Sequence, residues 1–306
     1  MTESIKAAWL ASRGVVRVAG ETARGFLNNL LTAEIAHLAP GAPRYAALLT
    51  PQGKIIADFL VVQTRAEDGG DVLLDCPKAL APLLVERLNF YKLRAKVRVE
   101  DLSERLGVMA IWNGAKNGES EYGLVYPDPR LSALGARAIL PPGLAQQAAS
   151  ELGAMWRDEA DYEAHRIALG VPRGGLDFIY GETFPHDADL DRLNGVDFKK
   201  GCFVGQEVVS RVEHRGTARN RIVPVAFEGP AAETGSPVMG GEIKVGVMGS
   251  SANMPGGALG LAMLRLDRVQ ELLTAGTTLT SGGLALRLRP SMFADSTQTG
   301  TEKTSS

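Results

Sequence analysis

The sequence predicts an α+β protein made of two successive α+β units and a small antiparallel β-barrel near the carboxyl end. Strand-like runs alternate with helical spacings over residues 15–100, and a similar series follows over 107–169. After residue 219 the pattern changes to short strands separated by glycine turns. With 306 residues, 45% of them hydrophobic and 22% charged, the chain has the composition of a globular protein of two or three domains.

The elements of the first unit follow from local patterns. Residues 15–19 alternate as a strand does, and residues 21–31 carry apolar side chains on one side of a helix. Two β-branched runs flank Thr50-Pro51-Gln52-Gly53, where proline at the second position and glycine at the fourth indicate a type I turn and therefore a hairpin. The remaining elements are a strand, a helix opened by Pro77 and a last strand, at 72–75, 77–91 and 97–100.

The second unit and the barrel are predicted in the same way. Strands and then helices of the second unit are expected at 107–111, 122–125, 137–139, 142–152 and 158–169. A glycine-rich loop at Asn113–Ser120 should be exposed. Barrel strands are expected at 222–227, 243–250, 258–266 and 284–289. The segment Asp295–Ser306 lacks apolar residues and is expected to be disordered.

We therefore divide the chain into four segments, at 1–105, 106–216, 217–292 and 293–306. The first two are the α+β units, the third is the barrel and the fourth is a disordered tail.

Composition limits the classes of protein to consider. The formal net charge of −2 argues against a surface devoted as a whole to nucleic acid or anionic membrane. The start of the chain has no signal-peptide layout, and no apolar run reaches the ~18 residues of a membrane span. We therefore expect a cytoplasmic protein, monomeric and without a membrane partner.

The chain has two cysteines, Cys76 and Cys202, so no disulfide framework is expected. Cys76 ends an apolar run before Pro77 and is interpreted as a structural residue. Two thiols that need not meet cannot hold a zinc ion or an iron–sulfur cluster, since these generally take four ligands. No stably bound metal is expected.

The most informative stretch is Lys199–Arg211, which reads Lys-Lys-Gly-Cys-Phe-Val-Gly-Gln-Glu-Val-Val-Ser-Arg. The neighbours of Cys202 are lysines and glycines rather than the apolar residues that surround a packing cysteine. Lys199 and Lys200 favour the thiolate by charge proximity, and the thiolate attacks electrophiles and binds metals. The alternative that Cys202 is a small hydrophobe at the end of a strand stays open.

The string Lys-Gly-Cys-aromatic-x-Gly-Gln-Glu resembles the signature of the YgfZ family of folate-binding proteins. These are relatives of the glycine cleavage aminomethyltransferase and of a mitochondrial iron–sulfur assembly factor. Weaker similarities at 48–61, 166–172 and 184–198 extend the resemblance over roughly residues 10–290. It implies two ferredoxin-like units forming a folate-binding region, with the barrel closing a ring-like three-domain arrangement. One departure is Phe203, where the family usually has tyrosine.

The resemblance also implies tetrahydrofolate as cofactor and suggests its contacts. Tyr162 corresponds to the aromatic residue that precedes the family's Arg-Ile-x-x-Gly-x-Pro segment, and Arg166 opens that segment. Trp156 is a second aromatic candidate, with packing in the core as its alternative. Another aromatic of the family's site aligns with about Arg13, which departs from the pattern.

Two further departures concern catalysis. Aminomethyltransferases resembling this chain carry paired aspartates in the first hairpin, where Ala57 and Asp58 stand here, and a later acid where Ala168 stands. Because neighbouring strand side chains point to opposite faces, Asp58 is not expected to replace the missing acid, although it is a candidate folate contact. Glycine-cleavage chemistry is therefore not expected.

Two charged clusters have open interpretations. Six basic and two acidic residues lie between Lys199 and Arg221, a balance that suits an anionic ligand or a phosphate backbone but also a solvated face. The segment His186–Asp191 is interpreted as a solvated acidic turn rather than a metal site.

The leading interpretation is a folate-binding accessory protein for iron–sulfur enzymes, whose partners would be client or assembly proteins and, by resemblance, tRNA-modifying enzymes. Cys202 would be the functional thiol, with Lys200 favouring its thiolate. Gln206 and Glu207 would orient the loop, and Arg211 would pair with an anion or with Glu207. The alternatives are a folate-dependent aminomethyl transferase and a tRNA-binding module that uses the basic cluster.

Overall fold

The computed structural model of the protein describes residues 4–65, 70–114, 120–216 and 218–291, without the side chain of Arg215. The expected loop at Asn113–Ser120 lies partly outside these residues, and the expected disordered tail lies outside them. None of the described helices is long and apolar enough to cross a membrane.

The first sheet has five antiparallel strands in the order β3-β4-β5-β2-β6. The strands are β2 (Arg13–Ala19), β3 (Arg44–Leu49), β4 (Ile55–Gln63), β5 (Val72–Pro77) and β6 (Arg98–Asp101). Helices α1 (Ala23–Asn28) and α2 (Ala81–Lys92) pack on one face, and their buried leucines join the sheet in one hydrophobic cluster. The hairpin predicted around 50–53 is the β3–β4 pair.

The second sheet has the order β10-β1-β7-β9-β8. Its strands are β1 (Lys6–Leu10), β7 (Gly107–Trp112), β8 (Leu124–Pro127), β9 (Ala136–Leu140) and β10 (Met155–Trp156). Strand β1 thus belongs to a sheet whose other strands come about a hundred residues later, pairing antiparallel with β7 and parallel with β10. The division into segments at 105, 216 and 292 stays a prediction, and β1 is a strand that crosses it.

One hydrophobic core joins the two sheets. It contains residues of both, such as Leu49 and Val62 from the first and Val108 and Ile139 from the second. Helices α3 (Ala145–Glu151) and α4 (Glu159–Ala168) follow the second sheet, and α4 contributes Tyr162 to this core. The first sheet is therefore buried on both faces, by its helices on one side and by the second unit on the other.

The last part of the chain is a closed barrel in the order β11-β14-β13-β12-β15-β16. The strands are β11 (Asn220–Phe227), β12 (Pro237–Gly240), β13 (Ile243–Met254), β14 (Gly257–Arg265), β15 (Leu279–Ser281) and β16 (Leu284–Leu288). Helix α5 (Gln206–Arg215) precedes the barrel, and helix α6 (Leu266–Thr274) connects β14 to β15. The sequence patterns did not predict these two helices. The predicted α+β fold with a carboxyl-terminal antiparallel barrel is confirmed.

Candidate functional site

The cysteine loop, residues 200–205, lies between the second unit and helix α5. Cys202 is exposed, whereas the adjacent Phe203 is 92% buried, with 8% relative exposure. Helix α5 begins at Gln206, directly after Gly205, whose φ of +80° lies in the left-handed region that glycine adopts at little cost. A Cβ at Gly205 would lie 2.6 Å from the carbonyl oxygen of Thr50, so this end of the loop is packed against the β3–β4 turn.

The other end of the cysteine loop is held by Lys200. Its ammonium donates to the carbonyl oxygens of Asn28, Leu31 and Ala33, at 2.6, 2.6 and 2.8 Å. An ammonium has three N–H groups, so all of them are used here, at the end of α1. Partial burial lowers the pKa of Lys200 to about 8. Lys200 therefore anchors the loop, and no N–H is left to donate to the Cys202 sulfur.

The remaining residues of the motif lie on α5. Arg211 Nη2 donates to Glu207 Oε1 at 2.7 Å, one helical turn away, and both side chains are largely exposed. Exposed pairs of this kind contribute only about 0.3–0.5 kcal/mol. Gln206 is half-buried at the first position of the helix. Glu207 and Arg211 thus present a neutral pair on the surface next to the cysteine loop.

Half of the basic residues expected to form a cluster between Lys199 and Arg221 are committed to contacts within the described part of the chain. Lys200 is committed to carbonyl oxygens, and Arg211 is paired with Glu207. Arg221 is 8% exposed and donates to Asp189 and to both carboxylate oxygens of Asp191. These contacts use three of the six cations on which the RNA-binding interpretation depended, while Lys199 and Arg219 stay exposed.

The segment 186–191 is not the solvated acidic turn that was predicted. His186 is 2% exposed and Asp189 is fully buried, because Arg221 draws both the His186 carbonyl and the Asp189 carboxylate inward. Burial raises the pKa of Asp189 to about 7 in spite of Arg221. The cause of the error is that the compensating cation lies thirty residues later in the chain.

His186, Asp191 and Glu213 place one possible ligand atom each within 4.8 Å of one another. Their contacts do not fit a metal ion. Asp191 is already held bidentately by Arg221. Among the described residues His186 Nδ1 has no hydrogen-bond partner, whereas a metal-bound imidazole normally donates from its second nitrogen. His186 Nε2 instead pairs with Glu213 at 3.0 Å and ties α5 to this segment.

A cavity of about 370 Å³ lies between the two units and the segment 172–180. Its wall combines apolar groups with charged and aromatic ones. The polar wall includes Arg13, Asp58, Arg130, Arg137, Tyr162, Arg166, Arg173 and Tyr180. The size and this combination are typical of a site for a small polar molecule with an aromatic ring.

Asp58 is the carboxylate of the first hairpin that faces the cavity. It is 6% exposed and accepts hydrogen bonds from the hydroxyls of Tyr45, at 2.8 Å, and Tyr180. Burial and the Asp58 charge raise the pKa of both tyrosines well above the usual value, so both remain donors. Two hydrogen bonds leave lone pairs on the carboxylate for a ligand donor.

Ala57, by contrast, points into the core between the first sheet and its helices. Position 58, and not position 57, therefore faces the cavity, and Asp58 lies where the sequence places a candidate folate contact. Alternation along the strand was correct, but the chain buries both faces of this sheet, so alternation alone did not show which face bears the cavity.

The two aromatic candidates, Tyr162 and Trp156, lie in different places. Tyr162 lines the cavity, with its hydroxyl 3.5 Å from Arg137 Nη2 and its ring edge-on to Trp112. Trp156 is not part of the cavity wall; it packs against the second sheet and α3, which is the core alternative. Arg13 does line the cavity, although it is not the aromatic residue expected there.

Arg166 is 2% exposed and holds the back of the cavity together. It donates to Asp177 at 3.0 Å, to Glu163 at 2.8 Å and to Ser250 in the barrel at 2.9 Å. The predicted contact residue therefore joins the second unit to the barrel while one side of it lines the cavity. Ala168, two residues later, is partly buried on the same helix.

Two buried carboxylates fix the other arginines. Asp75 accepts from Arg13 and Arg137, each at 2.6 Å, and Asp128 accepts from Arg130 and Arg137. Burial alone would raise the pKa of Asp128, but the arginines outweigh it and lower the value to about 2. The guanidinium planes are thus held in place before any ligand arrives.

Sequence reasoning did not find Tyr45, Tyr180, Arg130, Arg137 or Asp75 as site residues. Three of them are polar residues inside otherwise apolar strands: Tyr45 in β3, Asp75 in β5 and Arg137 in β9. A charged residue in a buried strand must find a partner, and that signal could have identified Asp75 and Arg137. Tyr180 lies in an irregular segment and gave no such signal.

Fold and site together define an aminomethyltransferase-like protein. Residues 10–116 match the model of the GCVT N-terminal domain, and residues 219–294 match that of the CAF17 C-terminal beta-barrel domain. The crystal structure of glycine cleavage system aminomethyltransferase T from Bartonella henselae superposes with a TM-score of 0.72 over 94% of this chain and 85% of that one. Its sequence identity of 17% limits this similarity to the fold.

The chain belongs to the family of the iron–sulfur cluster assembly factor IBA57. The human protein of that name is 35% identical over 75% of this chain and 69% of its own length, and the Mus musculus protein is 33% identical over 88% and 80%. The Mycosarcoma maydis homologue is 34% identical over 72% of this chain, which spans 57% of that relative. All three are named mitochondrial, so the expectation of a cytoplasmic protein is wrong.

Proposed function

We propose that this chain is a folate-binding accessory factor in iron–sulfur protein assembly, in the manner of the YgfZ family, with Cys202 as its functional thiol. The observation that carries the proposal is the exposed Cys202 on a loop whose two ends are fixed. Lys200 anchors one end and Gly205 the other, while the sulfur itself faces solvent.

This arrangement suits a thiol that acts on another protein. A cysteine that only fills space is buried, as Cys76 is, and burial raises the pKa of Cys76 to about 12. Cys202 is free of such burial and can reach iron, a cluster in transit or a partner's thiol. One cysteine cannot hold a cluster alone, so a client or assembly protein would supply the other ligands.

The cavity residues fit tetrahydrofolate by their chemistry. Asp58 has lone pairs for the N–H groups of a pteridine ring, and Tyr162 offers an aromatic surface at the cavity wall. Arg173, 29% exposed and less tightly held than Arg166, would receive the carboxylates of the folate tail. Bound folate would fill the space between the units and the segment 172–180.

The client enzymes in this proposal are iron–sulfur enzymes, with tRNA-modifying ones among them. The protein would act as a monomer that contacts its clients through the cysteine loop. Folate would then control the binding surface rather than undergo a reaction.

The test replaces Cys202 with Ala in the native host and measures iron–sulfur enzyme activities beside an enzyme without a cluster. We expect the iron–sulfur activities to fall and the other to stay. Gly201→Ala serves as control, because no atom lies within 4 Å of the added Cβ. Undiminished activities with Cys202→Ala, at equal protein level, would remove the thiol from the function.

A second candidate is a folate-dependent aminomethyl transferase, favoured by the position of Asp58 in the cavity. This candidate requires that the protein turn over methylene-tetrahydrofolate with an aminomethyl acceptor. The Asp58→Asn variant should then lose this activity, and the Cys202→Ala variant should keep it. In the assembly role, iron–sulfur enzyme activity in the host depends on Cys202 and not on Asp58, so the two variants distinguish the two functions.

A further inference from the structure

The connection between α2 and β6 exposes two large apolar side chains. Phe90 is 71% exposed and Leu93 is 90% exposed, the highest value among the exposed large apolar residues of the described chain. Phe90 lies in the last turn of α2 and Leu93 directly follows the helix, so both exposed side chains belong to the same short stretch at its end. We call the surface formed by Phe90, Leu93 and the exposed basic residues Arg87, Arg94, Lys96 and Arg98 the α2–β6 tip.

The backbone of the tip is unusual. Leu93 has φ of 42°, in the region that residues with a side chain rarely adopt. The chain then turns tightly, with Ala95 N bonded to Lys92 O at 2.7 Å and Val97 N to Ala95 O at 2.9 Å. This turn holds the leucine outward instead of letting it fold back onto the apolar side of α2.

The tip is also strongly basic. Between residues 86 and 98 there are five basic residues and one acid, in a chain whose net charge is −2. Arg87, Arg94 and Lys96 are exposed, and none of them has an ion-pair partner within the described parts of the chain. Arg98, also exposed, approaches Glu100 at 3.5 Å.

We propose that the α2–β6 tip is a peripheral docking site for an anionic lipid surface, which goes beyond the proposed function. Phe90 and Leu93 would enter the boundary between headgroups and acyl chains, while the arginines and lysine would contact lipid phosphates. Exposed apolar side chains surrounded by cations are the combination that such surfaces bind.

A nucleic acid is the competing anionic partner, and the exposed residues disfavour it. Bases stack on flat side chains, and Phe90 offers one such ring. Leu93, the more exposed of the two, has no face on which a base can stack. Insertion into lipid would bury both Phe90 and Leu93, and it therefore explains why both side chains are exposed in the free protein.

The test measures co-sedimentation of the full chain with vesicles of phosphatidylcholine alone or mixed with phosphatidylserine, at low and high salt. The wild type should bind the mixed vesicles, bind the neutral ones poorly and release at high salt. The double variant Phe90→Ser with Leu93→Asn should lower the partition coefficient about tenfold or more. Asparagine is chosen because it tolerates positive φ.

A second double variant, Arg94→Gln with Lys96→Gln, should lower binding to mixed vesicles and weaken its salt dependence. The matched control is Ile243→Ser with Lys244→Gln on the barrel, which also removes an exposed apolar residue and a neighbouring cation. The control should bind as the wild type does, and thermal unfolding should show all three variants folded.

Three results would overturn the proposal. The first is no binding to the mixed vesicles, and the second is unchanged binding after the apolar residues are removed. The third is binding to transfer RNA that exceeds vesicle binding and depends on the same cations, which would assign the tip to nucleic acid.

Discussion

The backbones of Gly53 and Gly205 lie so close together that a side chain on Gly205 would meet the backbone of Gly53. Both have φ of +80°, and a Cβ at Gly205 would lie 3.0 Å from Gly53 Cα, while one at Gly53 would lie 3.4 Å from Gly205 O and 3.0 Å from Val208 Cβ. The β3–β4 turn and the start of α5 thus approach backbone to backbone. The position of the cysteine loop thus depends on two glycines that are 152 positions apart and that both have positive φ.

Gly205→Ala should destabilise the protein by about 1–3 kcal/mol, because positive φ and the close Thr50 carbonyl both oppose a side chain. Urea unfolding measures this loss. The same variant should also lower iron–sulfur enzyme activity in the host by moving Cys202. Gly201→Ala is the control within the same loop and should change neither measurement.

Lys200→Met should cost about 2–4 kcal/mol, because three carbonyl oxygens at the end of α1 lose a charged donor. Hydrogen exchange should become faster at residues 28–33 and in the cysteine loop. The exposed Lys199 is the matched control, and Lys199→Met should leave both stability and exchange unchanged. Equal effects of the two variants would contradict the anchoring role of Lys200.

The two cysteines should differ sharply in reactivity. In the folded protein one thiol, Cys202, should react with a disulfide reagent within minutes, because it is exposed. Cys76 should react only after denaturant is added, since burial raises its pKa to about 12. Peptide mass mapping identifies the labelled residue, and labelling of Cys76 at native conditions would contradict the closed core.

Tyr180→Phe should weaken tetrahydrofolate binding about 3–10-fold, because Asp58 loses one of the two hydroxyls that orient it. Tyr162→Ala should weaken binding more, and Trp156→Ala, outside the cavity wall, should not affect it. Isothermal titration measures all three. A stronger effect of Trp156→Ala than of Tyr162→Ala would place the ligand elsewhere.

Asp128 predicts a specific dependence of stability on pH. Its folded-state pKa of about 2 is below the unfolded value, so its stabilising contribution is complete above about pH 4 and is lost as pH falls through 2. Asp128→Asn should lower the free energy of unfolding by about 3–5 kcal/mol at pH 6. The difference in the free energy of unfolding between Asp128→Asn and the wild type should decrease by about 2 kcal/mol as the pH approaches 2.

Urea unfolding of both proteins across this range measures the difference. Asp267→Asn should show a smaller narrowing, because the hydrogen bond from Arg265 that lowers the pKa of Asp267 lies between side chains that are about half exposed and screened by solvent. A constant difference between wild type and Asp128→Asn at all pH values would show that Asp128 does not titrate as its buried ion pairs require.

Elements stabilised by local chemistry were predictable, and elements stabilised by distant partners were not. The β3–β4 hairpin follows from Pro51 and Gly53 within its own turn. Strand β1 could not be recognised in the same way, since its partners lie at 107–112 and 155–156. Helix α5 has a strongly polar sequence and begins inside the cysteine motif, so its apolar stripe was too narrow to stand out.

The same distinction holds for the candidate site. The exposure of Cys202 agreed with its polar neighbours in sequence. The target of Lys200 lies about 170 residues away at the end of α1, and no local pattern could have revealed it. Asp58 was identified as a candidate contact, but the sequence alone could not show that its face of the strand bears the cavity, because that sheet is buried on both sides.

The place of β1 has a consequence for the order in which the chain folds during synthesis. Lys6–Leu10 leaves the ribosome well before β7, its antiparallel partner, and before β10. The first sheet can form while the backbone groups of β1 are still unpaired, because β1 belongs to the second sheet. The second sheet is complete only after residue 156 has left the ribosome. A nascent chain of this protein therefore carries a strand without its hydrogen-bonding partners over a long interval, and unpaired strands are prone to pair with other chains.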